Sequence, residues 1–285
     1  MKIAYVVGDD DPNDPDPDLD IPFVENAAKE LNIDLVFTNW LDKKVNWQDF
    51  DAVVIRSTWN YVPFRDDFVI WCKNVEKNTR LFNSSKIIEW NTDKKYLLEL
   101  EKSGIPIIPT KFCSQLIEAE NQIKWAFDQA EAIAIKPSIG AGARLAGRAT
   151  SIDEAKSLLN KIFDNNRIAM IQPYMESVDT SGEKAIVVID GKLSHVAKKV
   201  PALTKGGHGD GDGQVEIDSK IESIFEKVKS NLDCWNELLY ARIDVVENNG
   251  NYLLMELELT EPWLLMKYRP EASLDLLNAV LKRIN

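Results

Sequence analysis

The chain has 285 residues, with 34 Lys and Arg against 46 Asp and Glu and a formal net charge of -12. That length buries a substantial core and suits two or three compact units, while the acidic balance argues against nucleic acid or an anionic membrane as a general partner. No apolar run is long enough to span a bilayer or to form a signal peptide. Cys72, Cys113 and Cys234 are far apart and without metal spacing, as expected of reduced thiols in a cytoplasmic protein.

Lys2 to Val7 reads as a buried strand, Asp9 to Asp20 as an acidic, Pro-containing loop, and Ile21 to about Leu31 as a helix. Strands at Asp34 to Asn39 and Ala52 to Ile55 complete the rhythm of an α/β unit with a parallel sheet. Ligands of such sheets gather beyond the carboxyl ends of the strands, so the acidic loop and Arg56-Ser-Thr-Trp-Asn-Tyr61 border a crevice. Arg56 has the fork to clamp a carboxylate, with Ser57 and Thr58 as further donors. A polar loop capping the next helix accounts for the same residues, and a solvated segment accounts for the acidic loop.

Phe64 to Lys77 is helical, with Phe68, Trp71, Cys72 and Val75 on one face. Asn91-Thr-Asp caps a helix from about Lys94, and Gly104-Ile-Pro ends it. Strands follow at Ile107 to Phe112 and Ala132 to Pro137, around a helix at Ile117 to Gln129. The second strand ends in Lys136-Pro-Ser-Ile-Gly-Ala-Gly-Ala-Arg-Leu-Ala-Gly147, a strand-borne Lys before a Gly-rich loop, which suits phosphate: backbone N–H groups from the loop and a point charge from the Lys. It is no Walker A loop, since no Gly-Lys-Ser/Thr closes it.

Helix Ile152 to Phe163 and strand Ile168 to Ile171 lead to Gln172-Pro-Tyr-Met175 and Gly182-Glu183. Asp190-Gly191 marks a two-residue hairpin turn. Pairing Ile189 with Lys192 sets Glu183 opposite Lys198, either as a cross-strand ion pair or as the flanks of a nucleotide. The run from Lys205 to Gly213 is too rich in glycine to hold one shape unaided, and so is a linker or a lid. His195 and His208 are single histidines without an evident role, and helices are expected at Ser219 to Leu232 and from about Leu274.

The chemistry concentrates between Arg242 and Glu258, two strand-like runs around Asn249-Gly250. A three-residue loop of Asn248, Asn249 and Gly250 pairs Glu247 with Asn251, Arg242 with Glu256 and Asp244 with Leu254. Arg242, Asp244, Glu256 and Glu258 then share one face. Carboxylates converging on an interior face need a cation or a basic partner, and Mg2+ is a natural one because it takes oxygen ligands and shares its shell with phosphates. A solvated face of an edge hairpin is the alternative.

In this order the motifs resemble an ATP-grasp enzyme: Asp93-Lys94 opening a helix that ends Gly-Ile-Pro, Lys136-Pro-Ser before a Gly-rich loop, Gln172-Pro-Tyr-Met, Gly-Glu183, and Arg242-Ile-Asp244 with Glu256-Leu-Glu258. The resemblance spans residues 86 to 262, and the N-terminal unit is similar to the pre-ATP-grasp domain. Arg56-Ser-Thr-Trp-Asn-Tyr and Glu256-Leu-Glu-Leu-Thr-Glu-Pro further resemble a glutathione-synthetase-like and RimK-like branch that includes the D-cycloserine-forming cyclase.

The resemblance implies an α/β ATP-grasp fold. A parallel α/β substrate domain would occupy residues 1–92, an ATP-grasp lid subdomain 93–171, and a C-terminal subdomain with the metal site 172–285, the last two clasping the nucleotide. Lys94 and Lys136 would hold phosphates, the backbone of Gln172, Pro173, Tyr174 and Met175 would read adenine, and Glu183 the ribose. Lys198 and Lys199 would face phosphate or an acyl phosphate. Asp244, Glu256 and Glu258 would hold two Mg2+ ions, with Mn2+ as an alternative, and Arg242 would stabilise the transferring group. Many members carry Asn where this chain has Glu258, which adds a negative charge to the site.

The function implied is an ADP-forming ligase that activates a carboxylate as acyl phosphate for attack by an amine or related nitrogen nucleophile, on amino-acid-like small molecules. A small-molecule kinase of the same fold and a nucleotide-binding regulatory module without turnover are the alternatives. Members of the superfamily commonly form dimers or tetramers, which leaves room for a homo-oligomer.

Overall fold

The N-terminal unit starts from a strand with no polar interruption inside it, β1 (Lys2–Val7), whose residues Ile3 to Val6 are all buried. Helix α1 (Ile21–Glu30), strands β2 (Asp34–Asn39) and β3 (Ala52–Ile55), helix α2 (Arg65–Glu76) and strand β4 (Arg80–Phe82) follow. The strands pair in parallel in the order β2-β1-β3-β4, and helices cover both faces, which is why β1 and β3 read as unbroken apolar runs. The structure is a computed structural model and describes residues 1–8, 18–203 and 211–284. Residues 9–17 of the expected acidic loop, and 205–210 of the expected lid with His208, lie outside them.

Two short helices, α3 (Ser85–Asn91) and α4 (Tyr96–Lys102), lead to a second unit of β5 (Lys111–Cys113), α5 (Leu116–Phe127), β6 (Ile133–Pro137), β7 (Gly147–Ala149), α6 (Ile152–Asp164) and β8 (Ala169–Pro173). Its antiparallel sheet has the order β5-β8-β6-β7. Ala119, Ile123 and Ala126 of α5 and Ala155, Leu159 and Ile162 of α6 recur at three- and four-residue spacing, so each helix lays one stripe on that sheet. A capping box starts α6: the Ser151 hydroxyl accepts from the Glu154 N–H at 3.3 Å, while the Glu154 carboxylate accepts from the Thr150 N–H at 2.7 Å.

The third unit comprises α7 (Ser177–Ser181), β9 (Glu183–Ile189), β10 (Lys192–Lys199), β11 (Gly211–Gln214), α8 (Ser219–Ser230), β12 (Tyr240–Asn248), β13 (Asn251–Glu258) and α9 (Ala272–Ile284). Its five strands are antiparallel in the order β11-β10-β9-β12-β13. One face, with Ile186, Val188, Val196, Ile243, Val245 and Leu254, packs under α4 and α8. The other face changes character along its length. Val187, Ile189 and Tyr240 join α9, α1 and the N-terminal sheet in one core, whereas Glu183, Lys199, Arg242, Asp244, Glu256 and Glu258 look into a cleft of about 290 Å³ whose opposite wall is the second unit.

The architecture is an α/β one with mixed parallel and antiparallel sheets. Elements that the sequence pattern missed, β4, α3, β7, α7 and β11, have between three and seven residues, too few to show a period, and β11 makes a strand of Gly211 to Gly213, which the sequence reading assigned to the linker or lid. The strand expected at Ile107 to Phe112 shrinks to β5, because Pro106 and Pro109 cannot donate to a ladder. Instead the chain runs along the edge of β13, where Leu254 N–H donates to Pro106 O at 2.8 Å and Ile108 N–H to Leu254 O at 3.1 Å. Among the described residues no helix is long and apolar enough to cross a membrane.

Candidate active site

The hairpin of β12 and β13 turns on two residues, not the expected three: Asn248 pairs with Asn251, while Asn249 and Gly250 stand at φ 51° and 80°, the left-handed pair that a tight hairpin turn requires. Left unbroken, this register would turn Glu256 and Glu258 away from Asp244. A bulge at Met255 corrects it, since Val245 pairs with Leu254 but Asp244 pairs with Glu256 and Arg242 with Glu258. The four charged groups therefore share one face, by a different route from the one the turn residues predict.

Arg242 is the hub of that face. Its Nε and Nη2 grip the Asp244 carboxylate at 2.8 and 2.9 Å, Nη2 also donates to Glu258, and Nη1 donates to Trp263 O at 3.1 Å. Lys199 Nζ bridges Asp244 at 2.8 Å and Glu183 at 3.3 Å, and Lys94 Nζ meets Glu256 at 2.8 Å. Burial pushes the three hairpin carboxyls up. For Asp244, however, Arg242 and Lys199 outweigh burial and hold it well below the usual carboxylate range. Glu256 is likewise lowered, against burial, by Lys94 and Lys136. Glu258 goes the other way, to about 7, because burial and the neighbouring acids prevail over an Arg242 already committed to Asp244.

The donor set thus fits a hard divalent cation in chemistry, three carboxylates on one face with one of them under-compensated. In this arrangement the acids face basic groups instead, and among the described residues no three His, Cys, Asp or Glu side chains stand close enough to form a ready-made metal cage.

Lys94 also donates to Gly140 O at 2.7 Å, and its own N–H donates to Ser138 O at 2.8 Å, so it fastens the Gly-rich loop over the hairpin. Lys136, at the end of β6, lines the cleft beside that loop. Within the loop Gly142, Ala143 and Leu145 all have φ between 55° and 61°, a backbone curled in the left-handed region. Gln172, Pro173, Tyr174 and Met175 line the far end. The Gln172 side chain is committed to Thr110 at 2.9 Å. The Tyr174 hydroxyl donates to Asp179, and its ring lies 4.1 Å under the Arg148 guanidinium. Here Met255, the bulge residue, joins Ile108, Ala134, Tyr174 and Val178 in an apolar slot that the sequence pattern did not show.

Lys198, expected in the site, is not among the residues lining the cleft. A second bulge, between Leu193 and His195, sets Glu183 opposite Lys199 and Lys184 opposite Lys198. Lys198 consequently points to the other face and pairs with Asp212 at 3.3 Å. The turn residues fix the pairing near Asp190-Gly191 but carry no sign of the extra residue further along.

Arg56, Ser57 and Thr58 do not line the cleft either. Arg56 is 1% exposed, donates to Pro262 O at 2.5 Å, reaches Asp20 at 3.4 Å and stacks 4.8 Å over the Tyr240 ring. Its partners explain why: the strand end that carries it lies beneath the segment Thr260 to Met266, and several polar side chains nearby hold that segment. Tyr240 donates to Thr260 O at 2.8 Å, Trp59 Nε1 to Glu261 O at 3.0 Å, and Asp20 accepts from Leu264 N–H at 2.6 Å and Met266 N–H at 2.9 Å. His195 Nε2 closes the set on Leu265 O at 3.3 Å. What the segment presents to the cleft is Glu261 and Trp263, beside Trp59 and Tyr61. Burial and Glu258 push the Glu261 carboxyl up to about 8, against the pull of Lys94.

A family model described as prokaryotic glutathione synthetase, ATP-grasp domain, matches residues 105–268, and one described as D-cycloserine synthetase DcsG, N-terminal domain, matches residues 3–83. Cycloserine biosynthesis protein DcsG of Streptomyces lavendulae is 28% identical over 284 residues and covers 94% of each chain. A crystal structure of D-cycloserine synthetase DcsG matches at a TM-score of 0.90 with 25% identity over 100% of both chains. D-alanine–D-alanine ligase from Bacillus anthracis, complexed with ATP, shares the fold at a TM-score of 0.74 and 15% identity, over 100% of this chain and 96% of that one. With this fold, and with the ATP-grasp match running from the end of α4 to beyond the charged hairpin, the chain belongs to the prokaryotic glutathione synthetase ATP-grasp family and is an ATP-dependent carboxylate–amine ligase.

Proposed function

We propose that the protein uses ATP to activate the carboxylate of a small amino-acid-like substrate as an acyl phosphate, which an amine or related nitrogen nucleophile then attacks, from the same or a second molecule. The order of residues along one face of β12 carries this reading. Val246 belongs to the apolar slot, Asp244 and Arg242 to the charged centre, and Tyr240 to the junction with the N-terminal unit. From Val246 to Arg242 is roughly 13 Å at the rise of a strand, enough to set adenine in the slot and the terminal phosphate at the arginine. D-cycloserine synthetase and D-alanine–D-alanine ligase, the names of the similar proteins, support an amino-acid-like substrate.

In this reading Lys94 and Lys136 take the phosphates and Glu183 the ribose, while the hinge backbone from Gln172 to Met175 borders adenine. Asp244, Glu256 and Glu258 would hold Mg2+, which when bound neutralises phosphate charge during transfer. Arg242 orients the substrate carboxylate and offsets charge on the transferring group. Lys199 replaces Lys198 as the strand-borne lysine beside the acyl phosphate, since it is the one that faces the cleft. Positioning and charge neutralisation are what such chemistry asks of side chains, and no nucleophilic residue is needed.

Mg2+-dependent ADP release across a panel of amino acids and amines tests the reading, with hydroxylamine added to trap an acyl phosphate. Release tied to one panel member, with a trapped hydroxamate, is the expected result. A stable phosphorylated product without hydroxamate would instead make the protein a kinase. Glu256→Gln should abolish turnover, and normal turnover by that variant would overturn the assignment of the hairpin.

A further inference from the structure

Among the described residues, Glu261 is the one acid of the cleft that this mechanism leaves unused. Asp244, Glu256, Glu258 and Glu183 each have a basic partner, whereas among the described residues no Lys, Arg or His is ion-paired with Glu261, and Lys94, already paired with Glu256, acts on it only from further off. A half-buried carboxylate without a counter-charge is costly unless a ligand supplies one. The backbone that carries it is also unusually constrained. The carbonyls of Thr260, Glu261, Pro262 and Trp263 are bound by side chains of Tyr240, Trp59, Arg56 and Arg242 respectively. The group is thus held in place rather than left to swing, as a recognition site demands.

Its neighbours match a cation. Trp59 and Trp263 line the cleft beside Glu261, edge to face with ring centroids 5.5 Å apart, and indole faces attract an ammonium group. Arg242 donates to the carbonyl of Trp263, two residues beyond Glu261, so a site for a substrate carboxylate and a site for a positive charge lie on one short segment.

We propose that Glu261, with Trp59 and Trp263, receives the protonated amino group of the substrate whose carboxylate is activated, and so selects amino acids over their hydroxy-acid counterparts. This rests on the ligase reading for the identity of the substrate, but the subsite can be tested without turnover. D- and L-alanine and serine are titrated by calorimetry in parallel with D- and L-lactate and glycerate, with Mg2+ and a nonhydrolysable ATP analogue present. At least one amino acid should bind ten or more times tighter than its hydroxy acid. Glu261→Gln should erase that preference while leaving nucleotide affinity intact, and Glu261→Asp, which keeps the charge, should restore part of it. Equal binding of amino and hydroxy acids, an unchanged preference in Glu261→Gln, or no binding of any amino acid would overturn the subsite. If amino acids bind selectively but no ADP is released with any of them, the subsite stands and the ligase reading falls.

Discussion

Arg56 and Arg242 carry the same side chain to opposite uses. Arg242 faces the cleft with two carboxylates at its fork, whereas Arg56 is sealed behind it and spends its donors on Asp20 and a backbone carbonyl. Arg56→Ala strands the buried Asp20 carboxylate and should cost about 3 kcal/mol of folding stability in urea titrations. A substrate clamp would instead alter KM and leave the titration unmoved. Arg56 stood out in the sequence as a carboxylate clamp and Arg242 as a member of the charged hairpin face, and only the packing around their strand ends, between units distant in the chain, separates their uses. Glu261 was overlooked for the converse reason. Standing after the last strand and next to a proline, it has neither the alternation nor the turn signal that drew attention to Glu256 and Glu258.

At the level of strands, two extra residues decide which side chains reach the site. Turn chemistry reports the pairing next to a turn, but a bulge several residues away reverses inside and outside without leaving a mark in the hydrophobic pattern. Hence the charged face of the β12–β13 hairpin was legible although its register was not, and of Lys198 and Lys199, both expected at the site, only Lys199 faces the cleft. Met255 shows that a bulge residue does more than shift register, because it fills the apolar slot. Met255→Ala should weaken ATP binding about tenfold by calorimetry, the loss of ~1.4 kcal/mol of apolar contact. Strand β9 depends on Gly182 in a related way. At φ 72° and ψ 178° that residue suits glycine, and an added Cβ would lie 2.9 Å from Lys199 O. Gly182→Ala should cost about 2 kcal/mol, seen as a lowered Tm, and should displace Glu183 and Lys199 together.

Across the whole molecule the parallel sheet, the order of elements and the family were readable from local patterns, because strand and helix periods are local. The closing of the N-terminal sheet and α9 over one half of the central sheet was not, since it arises from contacts such as Tyr240 with Ile55 that join distant parts of the chain. His195 sits in this junction. Burial, with Arg269 adding to it, holds its imidazole below the usual 6.5, against the hydrogen bond to Leu265 that favours the charged form. The unfolded chain therefore takes up the proton first, so stability present above pH 6.5 should decline as pH falls through the folded-state value. Thermal melts from pH 7.5 downward should show the decline, and His195→Gln should flatten it. The segment Thr260 to Met266 bears on the engineering of new specificities. Its backbone is fastened by side chains from the stretch after β3, the α1 cap, β10 and β12, so a graft of the N-terminal unit from one relative onto the body of another would arrive with its anchors and without their target. A working chimera must exchange two pieces that are separate in the chain, residues up to Tyr61 and the seven residues from Thr260 to Met266, as one inheritable module.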